Sequence, residues 1–544
     1  MDKKSILKVS LITAGALVIP TALAVGIGVG YATASPKPAE YESMESYKVF
    51  NDFIQKTRAR LASNSFSFKE ESLVTEKTTV KNRKNQDVPV TYYYGIKLPE
   101  GKKLTSEVLQ PKYPLSDNED LKDEDLILGS YRAYEVIKQK VKDLGYENND
   151  PQFITYPTQN IRSTTDGEFS EATDTEITKL GKKSITTFKE AGEFEPTVKQ
   201  MTENLKKDGF ITQGFLFSTS KTNANNIGNN LIVTINPTNA AKSTAKDFYL
   251  VSHYDSTNTT GPKGLSWGVT DNASGVSVSL RILEHYAKPE NRETLGVRLH
   301  VMFVDGEELG KLGSEAFVKQ FLTSKQENSN ETNEMLKNSI GMINMDTVAG
   351  GDRMYIHSPD SSNAAKGNVS TIIRDQINAV SRIRSINLND ITQELEIHPM
   401  FSHDEFKPGE TGDWSDHAPF YLKAKIPAAY IESTNFSLKS HSGKYDGYAQ
   451  TDNPKAWVLK DGSTVELIPR QLNGGVITLK DFPGERKTYA IGGDIWHSDL
   501  DTPKWVNENV GTTFYRQLDT VFETLKAYFT SMYQIEKNEF KYFI

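Results

Sequence analysis

Apolar residues along this chain gather in short runs separated by longer stretches of helical spacing. Leu231–Ile235, Phe248–Ser252, Val297–Val304, Ile340–Met345, Arg353–His357 and Ile426–Ile431 are rich in apolar residues and too short for helices, so they predict strands. Asn272–Tyr286, Ser314–Leu322, Ala364–Val380 and Asn509–Met532 predict helices between and after them. Tyr131–Leu144 sets Tyr134, Ile137, Val141 and Leu144 three and four residues apart, the stripe of an amphipathic helix. Strands that are apolar throughout, alternating with helices, predict an α/β fold whose sheet is covered on both faces. The expected architecture is a three-layer α/β/α sandwich with a mostly parallel mixed sheet.

The pattern weakens toward the N-terminus. Residues 35–124 are polar and rich in Lys and Glu, with one helical stretch near Tyr47–Leu61 and one strand candidate, Val88–Leu98. They predict a stalk or small accessory domain ahead of a catalytic domain over 125–544. Polar inserts near 324–333 and 437–488 interrupt that domain, and no internal repeat is present. Asp2, Lys3, Lys4 and Lys8 precede a run from Val9 to Pro36, 28 residues without a charge. At ~1.5 Å per residue such a run can cross a ~30 Å hydrocarbon core. Residues 1–34 are therefore expected to be a signal peptide or signal anchor. Ala32-Thr33-Ala34 resembles a cleavage site, whereas the length of the run favours an uncleaved anchor. Either way the remainder is expected outside the cell, secreted or on the outer membrane face. Gly26, Gly28 and Gly30 mimic part of a dinucleotide fingerprint but lack its strand and helix.

Composition narrows the chemistry. The chain has 544 residues, a net charge of −8 and no cysteine. Its pI near 5.8 gives no electrostatic footprint for nucleic acid. Without cysteine there are no disulfides, thiolate metal sites or thiol nucleophiles, so a metal must be held by His, Asp and Glu.

Several predicted strands run into residues of that kind. His253-Tyr254-Asp255 ends one, Asp271-Asn272-Ala273-Ser274-Gly275 opens the next helix, and Asp305-Gly306-Glu307-Glu308 follows another strand. Asn344-Met345-Asp346 ends a further strand, and Trp496-His497 comes much later. In open α/β sheets ligands collect outside the carboxyl ends of strands, so these residues are expected to converge. Two histidines with several carboxylates suit a divalent ion such as zinc. Asp271, Glu308, Asp346 and one bridging hydroxide would balance two such ions, with both histidines neutral. Taken singly, each acid is an ordinary cap at a strand–helix junction; the joint pattern points to a metal.

His253-x-Asp255, Thr270-Asp271-Asn272-Ala273-Ser274-Gly275, Gly306-Glu307-Glu308-x-Gly310, Asn344-Met345-Asp346 and Ser415-Asp416-His417-Ala418-Pro419-Phe420 occur in this order. From Asp125 to Tyr533 the chain resembles the co-catalytic dizinc exopeptidases. That family includes bacterial leucyl-type aminopeptidases and glutamate carboxypeptidase, with glutaminyl cyclase and the transferrin receptor ectodomain as relatives. The resemblance implies two Zn2+ per chain, with His253 and Asp346 on one, Glu308 and His497 on the other, and Asp271 bridging. It also implies Glu307 as general base and Asp255 as the group that orients His253. Peptides are the implied substrates, with an aminopeptidase the expected activity. His417 is expected to support the site without binding metal. His300, His357, His398, His403 and His441 fit no ligand spacing.

The chain departs from the family where Trp496 replaces a frequent Tyr before the last ligand, and where a long insert precedes His497. A glutaminyl cyclase-like enzyme with one zinc, or an inactive ectodomain that binds a partner, are the alternatives. Gly264-Leu265-Ser266-Trp267-Gly268 matches a serine-hydrolase elbow but lacks the strand before it and the helix after it. The absence of His-Glu-x-x-His removes the common single-zinc protease motif.

Overall fold

The strand that ends at His253 is buried at every position from Asp247 to His253, as an apolar run flanked by parallel neighbours on both sides should be. The computed structural model describes residues 38–60, 73–81, 85–96, 129–149, 155–157, 160–164, 169–172, 198–217, 226–239, 245–259, 266–323, 334–399, 407–436, 449–464 and 489–535. The expected signal segment, the 324–333 insert and most of the 437–488 insert lie outside these residues. No described helix is long and apolar enough to cross a membrane.

After a single helical turn at Pro38–Tyr41, helix α1 (Glu45–Thr57) is followed by strands β1 (Leu73–Lys81) and β2 (Asp87–Ile96) and helix α2 (Gly129–Asp143). Strands β3 (Thr155–Pro157), β4 (Asn160–Thr164) and β5 (Phe169–Ala172) precede helix α3 (Val198–Asn204), β6 (Gly209–Phe217) and β7 (Asn226–Ile235). The alternating part then runs β8 (Asp247–His253), α4 (Ser274–Tyr286), β9 (Arg298–Val304), α5 (Leu312–Phe317), β10 (Ser339–Met345), β11 (Arg353–Pro359) and α6 (Ile372–Leu388). It closes with β12 (Glu410–Thr411), β13 (Ala428–Thr434), the pair β14 (Trp457–Leu459) and β15 (Tyr489–Gly492), and α7 (Thr512–Ile535).

Nine strands form one mixed sheet in the order β12-β11-β13-β10-β8-β9-β7-β6-β3. Its centre, β13-β10-β8-β9, is parallel. Flanking strands β11 and β7 pair antiparallel with β13 and β9. Sequence reading found β7 but not its partner β6. Eight residues join the two, too few for a crossover of about a dozen, so they pair antiparallel and dilute the parallel character.

Alternate side chains of the central strands feed two cores. Leu250, Val301, Ile343 and Ile431 pack with α1, α2, α4, α6 and α7. Tyr249, Val251, Met302 and Val304 pack with Met201, Phe317, Phe321 and Phe420 from the other side. The sheet is therefore flanked by helices.

The division at residue 125 differs from this packing. Helix α1 buries Val49, Phe50, Phe53 and Ile54 in the main core. At roughly 1.5–3 kcal/mol per buried side chain, that docking is far stronger than a stalk requires. The small antiparallel sheet β1-β2-β4-β5 draws strands from both sides of the proposed boundary. Residues 45–57 thus belong to the central α/β unit.

At the end of the sheet away from the predicted cluster, buried Asp247 accepts from Arg298 Nη1 at 3.0 Å and lies 3.0 Å from His300 Nε2. Burial alone would raise its pKa; His300 and then Arg298 outweigh burial and hold it below the usual carboxylate value. The folded-state pKa is depressed, so the stabilisation is present above about pH 4 and is lost as pH falls through the folded value. Replacing Asp247 by Asn should cost about 3–5 kcal/mol at neutral pH, because it strands a buried cation. In urea denaturation, the difference from wild type should shrink by pH 3. A neutral-pH difference below about 1 kcal/mol would count against this role.

Candidate metal centre

Strand β8 delivers His253 at its carboxyl end, and β10, in register beside it, delivers Asp346. The turn that enters α4 supplies Asp271, and the turn leaving β9 supplies Glu307 and Glu308. His497 follows β15, in the left-handed region at φ 55°. A residue with a Cβ rarely adopts that conformation outside a constrained site. Here its carbonyl accepts from Thr259 N, and Gln450 Oε1 accepts from both Ile495 N and Trp496 N.

These residues form two groups that share Asp271. His253 Nε2 lies 3.1 Å from Asp271 Oδ1 and 3.1 Å from Asp346 Oδ1. His497 Nε2 lies 2.9 Å from Asp271 Oδ2 and 2.9 Å from Glu308 Oε2. Asp271 thus offers one oxygen to each histidine. Ligand atoms at ~2.0–2.1 Å from a tetrahedral ion stand ~3.3 Å apart, close to the spacing seen in both groups. Asp271 Oδ1 and Glu308 Oε1 are buried and lack an aligned hydrogen-bond donor, a costly state unless something else satisfies them. All five expected ligands are brought together, and the donor set fits two divalent ions.

Asp255 has a broader position than expected. Its Oδ1 is 3.4 Å from His253 Nδ1, which is nearer still, at 3.2 Å, to the Asp255 carbonyl. The same carboxylate accepts from the backbone N–H of Glu307 and of Glu308, each at 3.2 Å. One acid therefore orients the histidine and fixes the turn that carries both glutamates.

The electrostatics follow from crowding. Burial, with the charges of Asp346, Asp416 and Glu308 against His253, raises the Glu307 pKa well above the usual carboxyl range. Burial and Asp271 push Glu308 up to about 7. Burial also pushes Asp416 and Asp501 up to about 7. Burial pulls His497 down, but Glu308 and Asp271 prevail and raise it to about 12. The cluster has surplus negative charge and retains protons that cations would displace. The His253 side chain is fully buried, whereas His497 is 25 % exposed, so the His497 side opens toward solvent.

Several supporting residues were only partly visible in the sequence. Ser415 donates to Asp346 Oδ2 at 2.7 Å and accepts from Asn344 Nδ2. Asp501 accepts from Thr270 N at 2.7 Å and from Asp271 N. Asn272, joined to Asp271 by a cis peptide, bonds to Met345 O, Gly275 N and Thr347 N. Arg60, fully buried behind the cluster, gave no motif signal. His417 donates to the Gly412 carbonyl and stacks on Tyr430, outside both groups. His300 meets Asp247, and His357 and His398 lie among Tyr355 and Phe436. His403 and His441 lie outside the described residues. Ser266 Oγ accepts from Gly268 N in a local turn, and Gly264 and Leu265 lie outside the described residues. The Trp496 ring meets His497 edge-on, with centroids 4.7 Å apart.

Solved structures similar to this chain include the zinc aminopeptidase BSAP from Bacillus subtilis, at 18% identity over 58% of this chain and 52% of that one, with a TM-score of 0.31. A leucine aminopeptidase precursor from Bacteroides thetaiotaomicron is 14% identical over 73% of this chain and 95% of that one, with a TM-score of 0.34. A glutaminyl cyclase from Fimbriiglobus ruber is 15% identical over 61% and 84%, with a TM-score of 0.34. The chain spans about half the length of the Bacillus subtilis protein. Among curated protein sequences there is no significant match. Residues 230–464, which hold every expected site residue except His497, match the sequence profile of Peptidase family M28.

Proposed function

We propose that the chain is an exported zinc-dependent exopeptidase, an aminopeptidase that releases N-terminal residues from peptides. The observation that carries this reading is the pair of histidine-plus-two-carboxylate groups joined through Asp271. His253 and Asp346 would hold one zinc, Glu308 and His497 the second, and Asp271 both. Bound there, the metal pair supplies Lewis acidity to the scissile carbonyl and acidifies the attacking water.

The remaining work falls to side chains. Glu307 is the general base: it takes a proton from the attacking water and returns it to the leaving amine nitrogen. Its position depends on Asp255, which fixes the peptide groups of both glutamates and so separates their roles. The Asp255 contact with His253 Nδ1 leaves Nε2 free to face the metal. Ser415 and Asn344 restrain Asp346 in the same way. The Trp496 ring stands edge-on to His497, and an indole N–H donates from a different position than a phenol. Export rests on the uncharged run of residues 9–36 behind a Lys-rich start, which would tether the enzyme to the outer membrane face if it remains uncleaved.

The two glutamates should separate by experiment. Glu307→Gln should keep its metal and fold yet lose about 10²–10⁴-fold in turnover, the usual worth of acid–base catalysis. Glu308→Gln should lose one metal, since an amide is a poor substitute for an anionic ligand. Atomic emission on dialysed protein, with hydrolysis of amino-acid anilides, reads both; metal loss in Glu307→Gln or near-normal turnover would reverse the assignment.

Metal stoichiometry tests the reaction class. Two zinc per chain, cleavage of free N-terminal peptides and inactivity on N-acetylated ones are expected. One zinc with cyclisation of N-terminal glutamine would instead indicate a cyclase, and no zinc with no turnover a binding ectodomain.

A further inference from the structure

The two chain segments that carry His253 and Asp271 are also held from outside the M28 region. Arg60, just beyond α1, has no solvent exposure. Its Nε donates to Tyr254 O at 2.6 Å, its Nη1 to Trp267 O at 2.6 Å and to Arg58 O at 2.9 Å, and its Nη2 to Gly268 O at 2.6 Å. Its backbone completes the clamp: Arg60 N donates to Ser256 Oγ, and Ser256 N donates to Arg60 O. Tyr254 separates His253 from Asp255, and Gly268 stands three residues before Asp271. One planar fork therefore spans the chain on either side of the shared ligand set.

The approach is close enough to exclude a side chain. Gly268 has φ +62°, and a Cβ there would come within 2.6 Å of Arg60 Nη2 and 2.4 Å of Asp271 O. The side-chain hydrogen bonds of Arg60 all go to carbonyls, so its charge is not neutralised by contact with an acid. It acts at longer range on Asp501, Asp255, Asp271 and Glu308, which oppose the effect of burial on the guanidinium; burial lowers its pKa to about 10, still protonated at neutral pH. A lysine could match the charge but not the fork, because it presents one nitrogen where arginine presents three.

We propose that Arg60 is a positioning residue for the metal centre, fixing the spacing of His253 and Asp271 and offsetting the negative charge behind them, so that it sets metal affinity without touching substrate. This rests on reading the cluster as a zinc centre. A merely structural arginine would contribute to stability alone.

The test uses full-length protein stripped of metal and three readouts: urea stability without metal, zinc affinity by competition with a chromogenic chelator, and kcat and KM at saturating zinc. Arg60→Gln removes the charge and keeps amide donors; Arg60→Lys keeps the charge and loses the fork. Arg60→Gln should bind zinc about 10–100-fold more weakly, the usual cost of losing a group that orients ligands. Arg60→Lys should fall between it and wild type, and both should regain near-normal kcat when zinc saturates. Reduced metal-free stability with unchanged zinc affinity in Arg60→Lys would overturn the proposal, and decides it even if Arg60→Gln fails to fold. If wild-type protein binds no zinc, the metallopeptidase reading itself falls; if wild-type protein binds zinc and the variants match it, Arg60 alone is misassigned.

Discussion

Like-charge repulsion at one edge of the sheet is the constraint on which the rest of this structure depends. Asp255, Asp271, Glu307, Glu308, Asp346, Asp416 and Asp501 all lie in or against a single buried cluster. Two unit charges 4 Å apart repel by about 4 kcal/mol even at an effective dielectric of 20. No packing of apolar side chains can absorb several such terms at once. Cations or protons must offset this charge, and the pairs of oxygens facing each histidine nitrogen are where divalent cations fit. The alternative without them is protonation, which is the direction in which Glu307, Glu308, Asp416 and Asp501 are all displaced.

Topology explains why the acids meet at all. Parallel strands end on the same edge, so β8, β9 and β10 deliver His253, Glu307, Glu308 and Asp346 together although 93 positions separate the first from the last. Antiparallel β7 ends on the opposite edge, and β6, which runs with the central strands, lies beyond β7; neither supplies an expected ligand, and both widen the sheet against α2 and α5. His497 reaches the cluster by another route, held by Gln450 and Thr259 after the β14–β15 pair. The fixed strand ends and this clamped loop play unequal parts: the first group is sealed, and the second, around His497, faces solvent.

That difference also marks what the sequence made legible. Candidate ligands at strand ends announce themselves, because an apolar run followed by an acid or histidine is a local pattern; His253, Glu308 and Asp346 stand out in this way and Asp271 at a helix start, while their roles and that of His497 rest on the resemblance, and most central strands and helices are readable from the apolar pattern. Arg60 was not, since a buried arginine bonded to carbonyls at sequence separations of 194 to 208 residues leaves no local trace. The antiparallel β6–β7 pair was missed for a related reason: β6, GFITQGFLF, has two glycines and two polar residues in its nine positions, which weakens the apolar run. Helix α1 was found, but its docking in the main core was not, because an amphipathic stripe does not name its partner.

The adjacency of Glu307 and Glu308 shows how backbone control can separate two identical side chains. Their carboxyl groups have the same intrinsic chemistry, so intrinsic acidity alone does not divide the proposed ligand from the proposed base. The division comes from Asp255, which accepts from both of their N–H groups and holds two successive peptide units in fixed orientation. With the backbone fixed, Glu308 reaches His497 and the second group, while Glu307 faces the charges of His253, Asp346 and Asp416 without joining either group. Since Asp255 also touches His253, a shift in that one carboxylate would move a histidine and both glutamates together. The geometry of the site is in this sense a property of its hydrogen-bonded supports as much as of its ligands.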